Sequence, residues 1–189
     1  MNIYGTDREI EPNLLVDIER YAIELATSGG EILSSHFGTD LDVSYKDVGK
    51  SDPVTSVDIQ IQELLAKQIS EKFPDHGIVG EEGVETDGDL SPDVIWVIDP
   101  LDGTKNFVGG LPIFACSIGI LYRGEPVAGA IYIPWPGNRD GVIAHARRGG
   151  GAFIGEERLV VSRSDESSGN RLVGLPGSFS SRFQFGSGM

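Results

Sequence analysis

The hydrophobic periodicity of the chain changes just after residue 98, and this change most constrains the fold. Before it, residues 13–37 and 56–73 carry apolar side chains at helical spacing, with Asn13 as the expected N-cap of the first helix. After it, short apolar runs alternate with Gly and Pro, as in strands joined by tight turns, and Arg123-Gly124-Glu125 resembles a hairpin turn. These runs cover residues 113–122, 127–133, 142–146, 152–154, 159–161 and 172–175. The sequence predicts an α+β fold, with two N-terminal helices packed on a mostly antiparallel sheet.

Length and charge limit the classes of protein to consider. A chain of 189 residues can bury one core, so we expect one domain over residues 1–177 and an irregular tail over 178–189, where the chain is expected to be truncated. The net charge of −14 argues against nucleic acid or an anionic membrane as the main partner. The single cysteine, Cys116, suits a reducing compartment, and no apolar run is long enough to span a bilayer, so we expect a cytoplasmic protein.

An acidic turn follows the apolar run 95–98, which is predicted to be a buried strand. It contains Asp99 and Asp102, and Gly103 and Thr104 come next, where a helix could start. An isolated Asp-Pro-x-Asp-Gly sequence is typical of an exposed turn. Here a strand gives the turn a rigid base, and the free N–H groups of a helix start favour an anion such as phosphate. Carboxylates beside such a site are ligands for hard divalent cations, so the segment indicates metal-assisted phosphoryl transfer to water.

Further candidate residues lie upstream of this turn. Glu81 follows the short apolar run 78–79, and we expect it to reach the same sheet edge as Asp99. Asp58 lies near the start of the second predicted helix. The helix dipole favours an acidic side chain at this position, which is an alternative explanation for Asp58. The backbone carbonyl of Leu101, between the two aspartates, is a further oxygen that could bind a cation.

Three motifs in this order and spacing resemble those of the inositol monophosphatase family, within the wider lithium-sensitive, magnesium-dependent phosphatase superfamily. They are Asp-Pro-Val-Thr-Ser-Val-Asp at 52–58, Gly-Glu-Glu at 80–82 and Trp-Val-Ile-Asp-Pro-Leu-Asp-Gly-Thr-Lys-Asn-Phe at 96–107. Residues 150–153 and 158–162 also resemble later strands of the family. The resemblance runs from the first helix to about Gly177 and implies the N-terminal portion of the family's layered α/β fold.

The resemblance also implies a two-metal site. Glu81, Asp99 and the Leu101 carbonyl would hold one Mg²⁺, and Asp99 and Asp102 would hold a second, with Asp99 bridging the two. Glu81 and the Thr104 hydroxyl would orient the attacking water.

The remaining implied roles concern the substrate and the support of this site. Asp102, Gly103 and Thr104 would bind the phosphorylated substrate, the last two through their N–H groups. Asp58 would support the catalytic pair or a weakly held third Mg²⁺. Lys46 lies near the position of a family lysine, with Lys50 as its competitor.

One family signature is missing from this sequence. A Trp-Asp pair followed by a small Ala-Gly turn is expected downstream, but the only tryptophans are Trp96 and Trp135, and neither precedes an aspartate. We therefore expect the N-terminal portion of such an enzyme, with one sheet face left exposed. The first hypothesis is a Mg²⁺-dependent, Li⁺-sensitive phosphomonoesterase of a small phosphorylated alcohol, by default inositol monophosphate, with homodimerisation as a family expectation. The alternative is a catalytically incomplete fragment that binds a cation or a partner chain.

Overall fold

The computed structural model describes residues 10–45, 53–81, 91–135 and 138–161. The chain divides into a compact unit, Met1–Leu159, and a second segment, Val160–Met189, of which only the first two residues are described. The predicted strand at 172–175 and the predicted tail at 178–189 therefore lie outside the described residues. The elements are α1 (Pro12–His36), β1 (Val43–Tyr45), β2 (Pro53–Thr55), α2 (Ser56–Lys72), β3 (Gly77–Gly80), β4 (Val94–Asp102), α3 (Thr104–Val108), β5 (Ala115–Tyr122), β6 (Glu125–Trp135), β7 (Asn138–Arg147), β8 (Gly151–Ile154) and β9 (Glu157–Leu159).

Within the described ranges, the main sheet has seven strands in the order β3-β4-β5-β6-β7-β8-β9. Only the β3–β4 pair is parallel, and every other pair in this sheet is antiparallel. Strands β1 and β2 form a separate antiparallel pair. Helix α1 packs mainly on β6 and β7, and α2 packs on β4. This arrangement confirms the predicted α+β fold with two helices on a mostly antiparallel sheet.

Helix α1 approaches the sheet closely through two adjacent glycines. A Cβ atom on Gly29 would lie 2.7 Å from the Cys116 sulfur, and one on Gly30 would overlap the ring of Tyr132. The Tyr132 hydroxyl is 2.6 Å from the Ser34 hydroxyl, one helical turn further on. The absence of side chains at these two positions lets α1 lie directly on β5 and β6.

Several element boundaries differ from those predicted. The N-cap of α1 is Glu11, whose carboxylate accepts a hydrogen bond from Leu14 N at 3.0 Å, so the prediction of Asn13 was wrong. The physical reason is Pro12, whose fixed φ suits the first helical position and starts the helix earlier. The last described strand is Glu157–Leu159 rather than 159–161, because it pairs with β8 directly after a hairpin turn.

The sheet face opposite the helices is less covered. Val97 on β4 and Ile131 on β6 are 38 % and 39 % exposed, whereas their neighbours Trp96 and Ala130 are buried. Successive side chains on a strand point to opposite faces, so the exposed pair marks the second face. Within the described residues, no helix is long and apolar enough to cross a membrane.

Candidate active site

The acidic residues at positions 81 and 99 lie side by side, the first directly after β3 and the second in the last part of β4. Because β3 and β4 run parallel, their carboxyl ends meet at one edge of the sheet, with Gly80 opposite Ile98. Glu81 N donates a hydrogen bond to the Ile98 carbonyl at 3.2 Å. The structure therefore places Glu81 next to Asp99, although they lie 18 positions apart in the sequence.

Asp99 lies at the centre of the negative charge. The pKa of Asp99 is raised to about 7, mainly by burial and then by the charges of Glu81 and Asp102 and a hydrogen bond with the Glu81 side chain, while the backbone N–H of Leu101 acts in the opposite direction. That N–H donates to Asp99 Oδ1 at 3.2 Å. No cation among the described residues contributes to the pKa of Asp99. The site therefore places the like charges of Glu81 and Asp102 around the half-buried Asp99.

A β-bulge separates the two aspartates. Asp99 pairs with Ser117 and Asp102 with Ala115, so one extra residue on β4 interrupts the ladder. The bulge buries the Leu101 side chain and leaves Asp102 exposed. β4 thus continues to Asp102 rather than ending at Asp99 as the sequence predicted.

Gly103 makes the sharp connection from β4 to α3. Its φ of 90° lies in the left-handed region, and a Cβ atom there would lie 2.8 Å from the Ile113 carbonyl oxygen. Glycine is favoured on both counts. Helix α3 begins at Thr104, as predicted, and its first N–H groups have no acceptor within the helix.

Asp58 forms a buried network with two threonines. It is 1 % exposed, and its Oδ2 accepts hydrogen bonds from Thr55 N at 2.9 Å and from the Thr55 hydroxyl. Its Oδ1 lies 3.3 Å from the Thr104 hydroxyl, which also lies 3.0 Å from the Leu101 carbonyl oxygen. Burial raises the pKa of Asp58, although its hydrogen bonds with Thr55 and Thr104 act in the opposite direction. The network connects the start of α2 to the start of α3.

Thr55 is a residue of this site that the sequence reasoning missed. It is the N-cap of α2 and forms a reciprocal capping box with Asp58. The sequence signal was available, because a threonine three residues before an acidic residue at a helix start is typical of this motif. Asp58 is thus held by its cap at the same time as it reaches Thr104. Lys46 and Lys50 lie outside the described residues.

The described residues fit a hard divalent cation, although they do not form a finished site. No group of three or more His, Cys, Asp or Glu side chains in the described ranges is already arranged to hold a metal ion. Glu81 and Asp99 are nevertheless in contact, and Asp102 is near enough for its charge to raise the pKa of Asp99. The Leu101 carbonyl oxygen lies 3.0 Å from the Thr104 hydroxyl at the same place. Carboxylate and carbonyl oxygens are the donors that Mg²⁺ prefers.

Comparison with known proteins identifies the family. The sequence model of the inositol monophosphatase family matches residues 15–184. The chain is 37 % identical over 141 residues to a fructose-1,6-bisphosphatase/inositol-1-monophosphatase of Aquifex aeolicus, covering 74 % of this chain and 51 % of that protein. It is 34 % identical over 155 residues to human inositol monophosphatase 1, covering 81 % of this chain and 54 % of the human protein.

Solved structures agree with the sequence comparison. The Thermotoga maritima IMPase superposes with a TM-score of 0.67 at 36 % identity, covering 78 % of this chain and 54 % of that one. The extragenic suppressor protein of Bartonella henselae gives a TM-score of 0.69 at 33 % identity, covering 78 % and 55 %. The chain spans about half the length of the relatives that it matches. On the match of most of its length to one family model and on this shared fold, the chain belongs to the inositol monophosphatase family.

Proposed function

We propose that the chain carries the metal- and phosphate-binding part of a Mg²⁺-dependent phosphomonoesterase that acts on a small phosphorylated alcohol. The observation that carries this proposal is the contact of Glu81 with Asp99 beside Asp102, at the edge where α3 starts. Such a concentration of negative charge opposes the binding of an anionic ester unless cations neutralise it. The phosphatase names of the relatives support the same reaction class.

The acidic residues divide into two overlapping ligand sets. Glu81, Asp99 and the Leu101 carbonyl would hold one Mg²⁺, and Asp99 and Asp102 would hold a second. When bound, the ions would neutralise the attacking and leaving oxygens and make water a better nucleophile. Asp99 would belong to both sets, which is consistent with its central position in the cluster.

The remaining residues would orient water and phosphate. Glu81 and the Thr104 hydroxyl would direct the attacking water towards phosphorus, and Asp58 would fix the Thr104 hydroxyl through their contact at 3.3 Å. The N–H groups of Gly103 and Thr104 would bind phosphate oxygens, with Asp102 beside them on the substrate side. The bulge in β4 supports this arrangement, because it turns Asp102 outward while Leu101 anchors the turn in the core.

The substrate proposal follows from the names of the relatives. The Aquifex protein is named for fructose-1,6-bisphosphate and inositol-1-monophosphate, and the human protein for inositol monophosphate. We therefore propose inositol monophosphate, hydrolysed to inositol and phosphate, as the first substrate to test. Inhibition by Li⁺, homodimerisation and a cytoplasmic location remain predictions.

Phosphate release from inositol monophosphate by the full chain tests the proposal. We expect turnover with Mg²⁺, no turnover in EDTA, suppression by Li⁺, and a loss of about 10³-fold in Asp99→Asn, as for the removal of a central charge-stabilising group. Asp93→Asn is the matched control, because Asp93 precedes the opposite end of β4 and pairs there with Arg123 at 2.9 Å. Full activity in EDTA, or a wild-type rate in Asp99→Asn, would contradict the proposal.

A second candidate function is a binding module without turnover. The exposed Val97 and Ile131 on the second sheet face favour it. Calorimetry with Mg²⁺ separates the two functions. One weak Mg²⁺ site without phosphate release indicates the module, and two sites with phosphate release indicate the enzyme.

A further inference from the structure

The buried stripe of α2 contains a polar side chain whose hydrogen bonds are not accounted for. Gln62 is 1 % exposed, and no described residue hydrogen-bonds to its Nε2 or Oε1. A buried amide without partners destabilises a fold, whereas an apolar side chain of similar shape would not. Asp58, one helical turn earlier on the same stripe, is equally buried and has hydrogen bonds on both oxygens. Packing alone therefore does not explain a glutamine at this position.

The Gln62 amide lies against the end of β3. A Cβ atom on Gly80 would overlap the amide, so the glycine makes room for it. Gly80 is the last residue of β3 and directly precedes Glu81, which is hydrogen-bonded to Ile98 on β4. One face of α2 thus presents polar groups to both parts of the candidate active site: Asp58 to Thr104, and Gln62 to the backbone that carries Glu81.

We propose that Gln62 is a positioning residue, whose amide binds a buried water molecule beside Gly80 and thereby fixes Glu81 for cation binding. The amide offers two donors and one acceptor oxygen, and a buried water molecule typically makes about three hydrogen bonds to otherwise unsatisfied groups. Residues outside the ligand set that orient the ligands have large effects on metal affinity. This role rests on the proposed function of Glu81 as a Mg²⁺ ligand.

The test measures the stability of the metal-free protein and its affinity for Mg²⁺ separately. Gln62→Met keeps the length of the side chain and removes its polar atoms, and Leu65→Met is the matched control on the same buried face of α2. Thermal unfolding of the full chain is measured in EDTA and then across a Mg²⁺ titration. We expect Gln62→Met to unfold in EDTA at the wild-type temperature or above it. We also expect its half-maximal stabilisation to need about 10-fold more Mg²⁺. Leu65→Met should keep the wild-type Mg²⁺ midpoint.

Three outcomes would overturn the role of Gln62. If Mg²⁺ stabilises the wild type and Gln62→Met at the same midpoint, the residue does not position Glu81, whatever the unfolding temperature in EDTA. If Mg²⁺ does not stabilise even the wild type, the proposed function fails and the role of Gln62 fails with it. A high-resolution crystal structure of the wild type is the second measurement, needed if Gln62→Met does not fold. Water density bonded to the amide supports the proposal, and a dry amide overturns it.

Discussion

Two regions of the molecule differ in how their polar groups are paired. One is the core between α1 and the sheet, and the other is the place where β3 and β4 end. In the core, the Tyr132 hydroxyl meets Ser34 at 2.6 Å and the Trp96 indole N–H donates to His76 at 3.0 Å, so buried aromatic polar groups have partners. At the strand ends, Asp99 faces like charges and Gln62 has no described partner. Trp96 of the core and Asp99 at the strand ends nevertheless lie on the same strand, β4.

This difference supports the proposed location of the active site at the strand ends. In most of a protein, local propensity, packing and the pairing of polar groups all favour the native fold. Exceptions are expected at functional sites. Cys116 lies in the core but is close enough to Asp99 to be affected by its charge. Burial and this charge raise the pKa of the Cys116 thiol to about 12, so the thiol remains neutral. Substitutions in the core should therefore lower stability, whereas removal of charge at the strand ends should raise the stability of the metal-free protein.

The largest effect should come from filling the space between α1 and the sheet. Gly30→Ala normally favours a helix, but here the new Cβ would overlap the Tyr132 ring. We expect a loss of about 2 kcal/mol in the free energy of unfolding, as in other overpacked cores. Urea denaturation measures it, with Thr27→Ala on the exposed side of α1 as a control that should change stability little. A Gly30→Ala protein as stable as the wild type would show that α1 does not lie so close to β6.

A smaller effect of opposite sign is expected at the strand ends. Asp99→Asn removes a carboxylate that faces Glu81 and Asp102, and it should stabilise the protein in EDTA at pH 8. The gain should be roughly 1–2 kcal/mol once partial exposure and screening are allowed for. Asp102→Asn should give less, because Asp102 is exposed. Destabilisation of the metal-free protein by Asp99→Asn would show that the cluster is structural, and the contrast between the two regions would then disappear.

The smallest effect concerns pH and the His76–Trp96 pair. Indole N–H only donates, so His76 Nδ1 must be unprotonated to accept it. Burial lowers the pKa of His76 from 6.5, against the charge of Asp75. Between this lowered pKa and about pH 6.5, the unfolded chain therefore binds more protons at His76 than the folded chain does. The contribution of His76 to the free energy of unfolding is fully present above pH 6.5 and is lost as the pH falls through the folded pKa.

The comparison with His76→Asn isolates this contribution. Asparagine can accept the indole hydrogen bond without titrating, and the carboxylates are common to both proteins. We expect the wild type to lose more thermal stability than His76→Asn between pH 7 and pH 5. Parallel pH curves for the two proteins would show that His76 is protonated equally in the folded and unfolded states.

The helices, strands and turns could be predicted from short sequence patterns, whereas the arrangement of the candidate site depends on contacts between residues far apart in the sequence. The turn at Arg123-Gly124 was predictable, because the two positive φ angles of 53° and 83° suit a tight hairpin containing glycine. The start of α3 after Asp-Gly was predictable for a similar reason. The bulge in β4 was not, because it depends on which residues of β5 lie opposite. Gln62 was not predictable either, since in the sequence it reads as one polar residue of an amphipathic helix.

The sequence by itself determined the order of the helices and strands and the family, because periodicity, turns and motifs depend on neighbouring residues. Only the tertiary structure decided that Glu81 touches Asp99 and that Gln62 lies against Gly80. Those contacts depend on the parallel pairing of β3 with β4 and on the packing of α2 beneath them. The same packing excludes water, and the loss of hydration is the main reason why the pKa of Asp99 is raised.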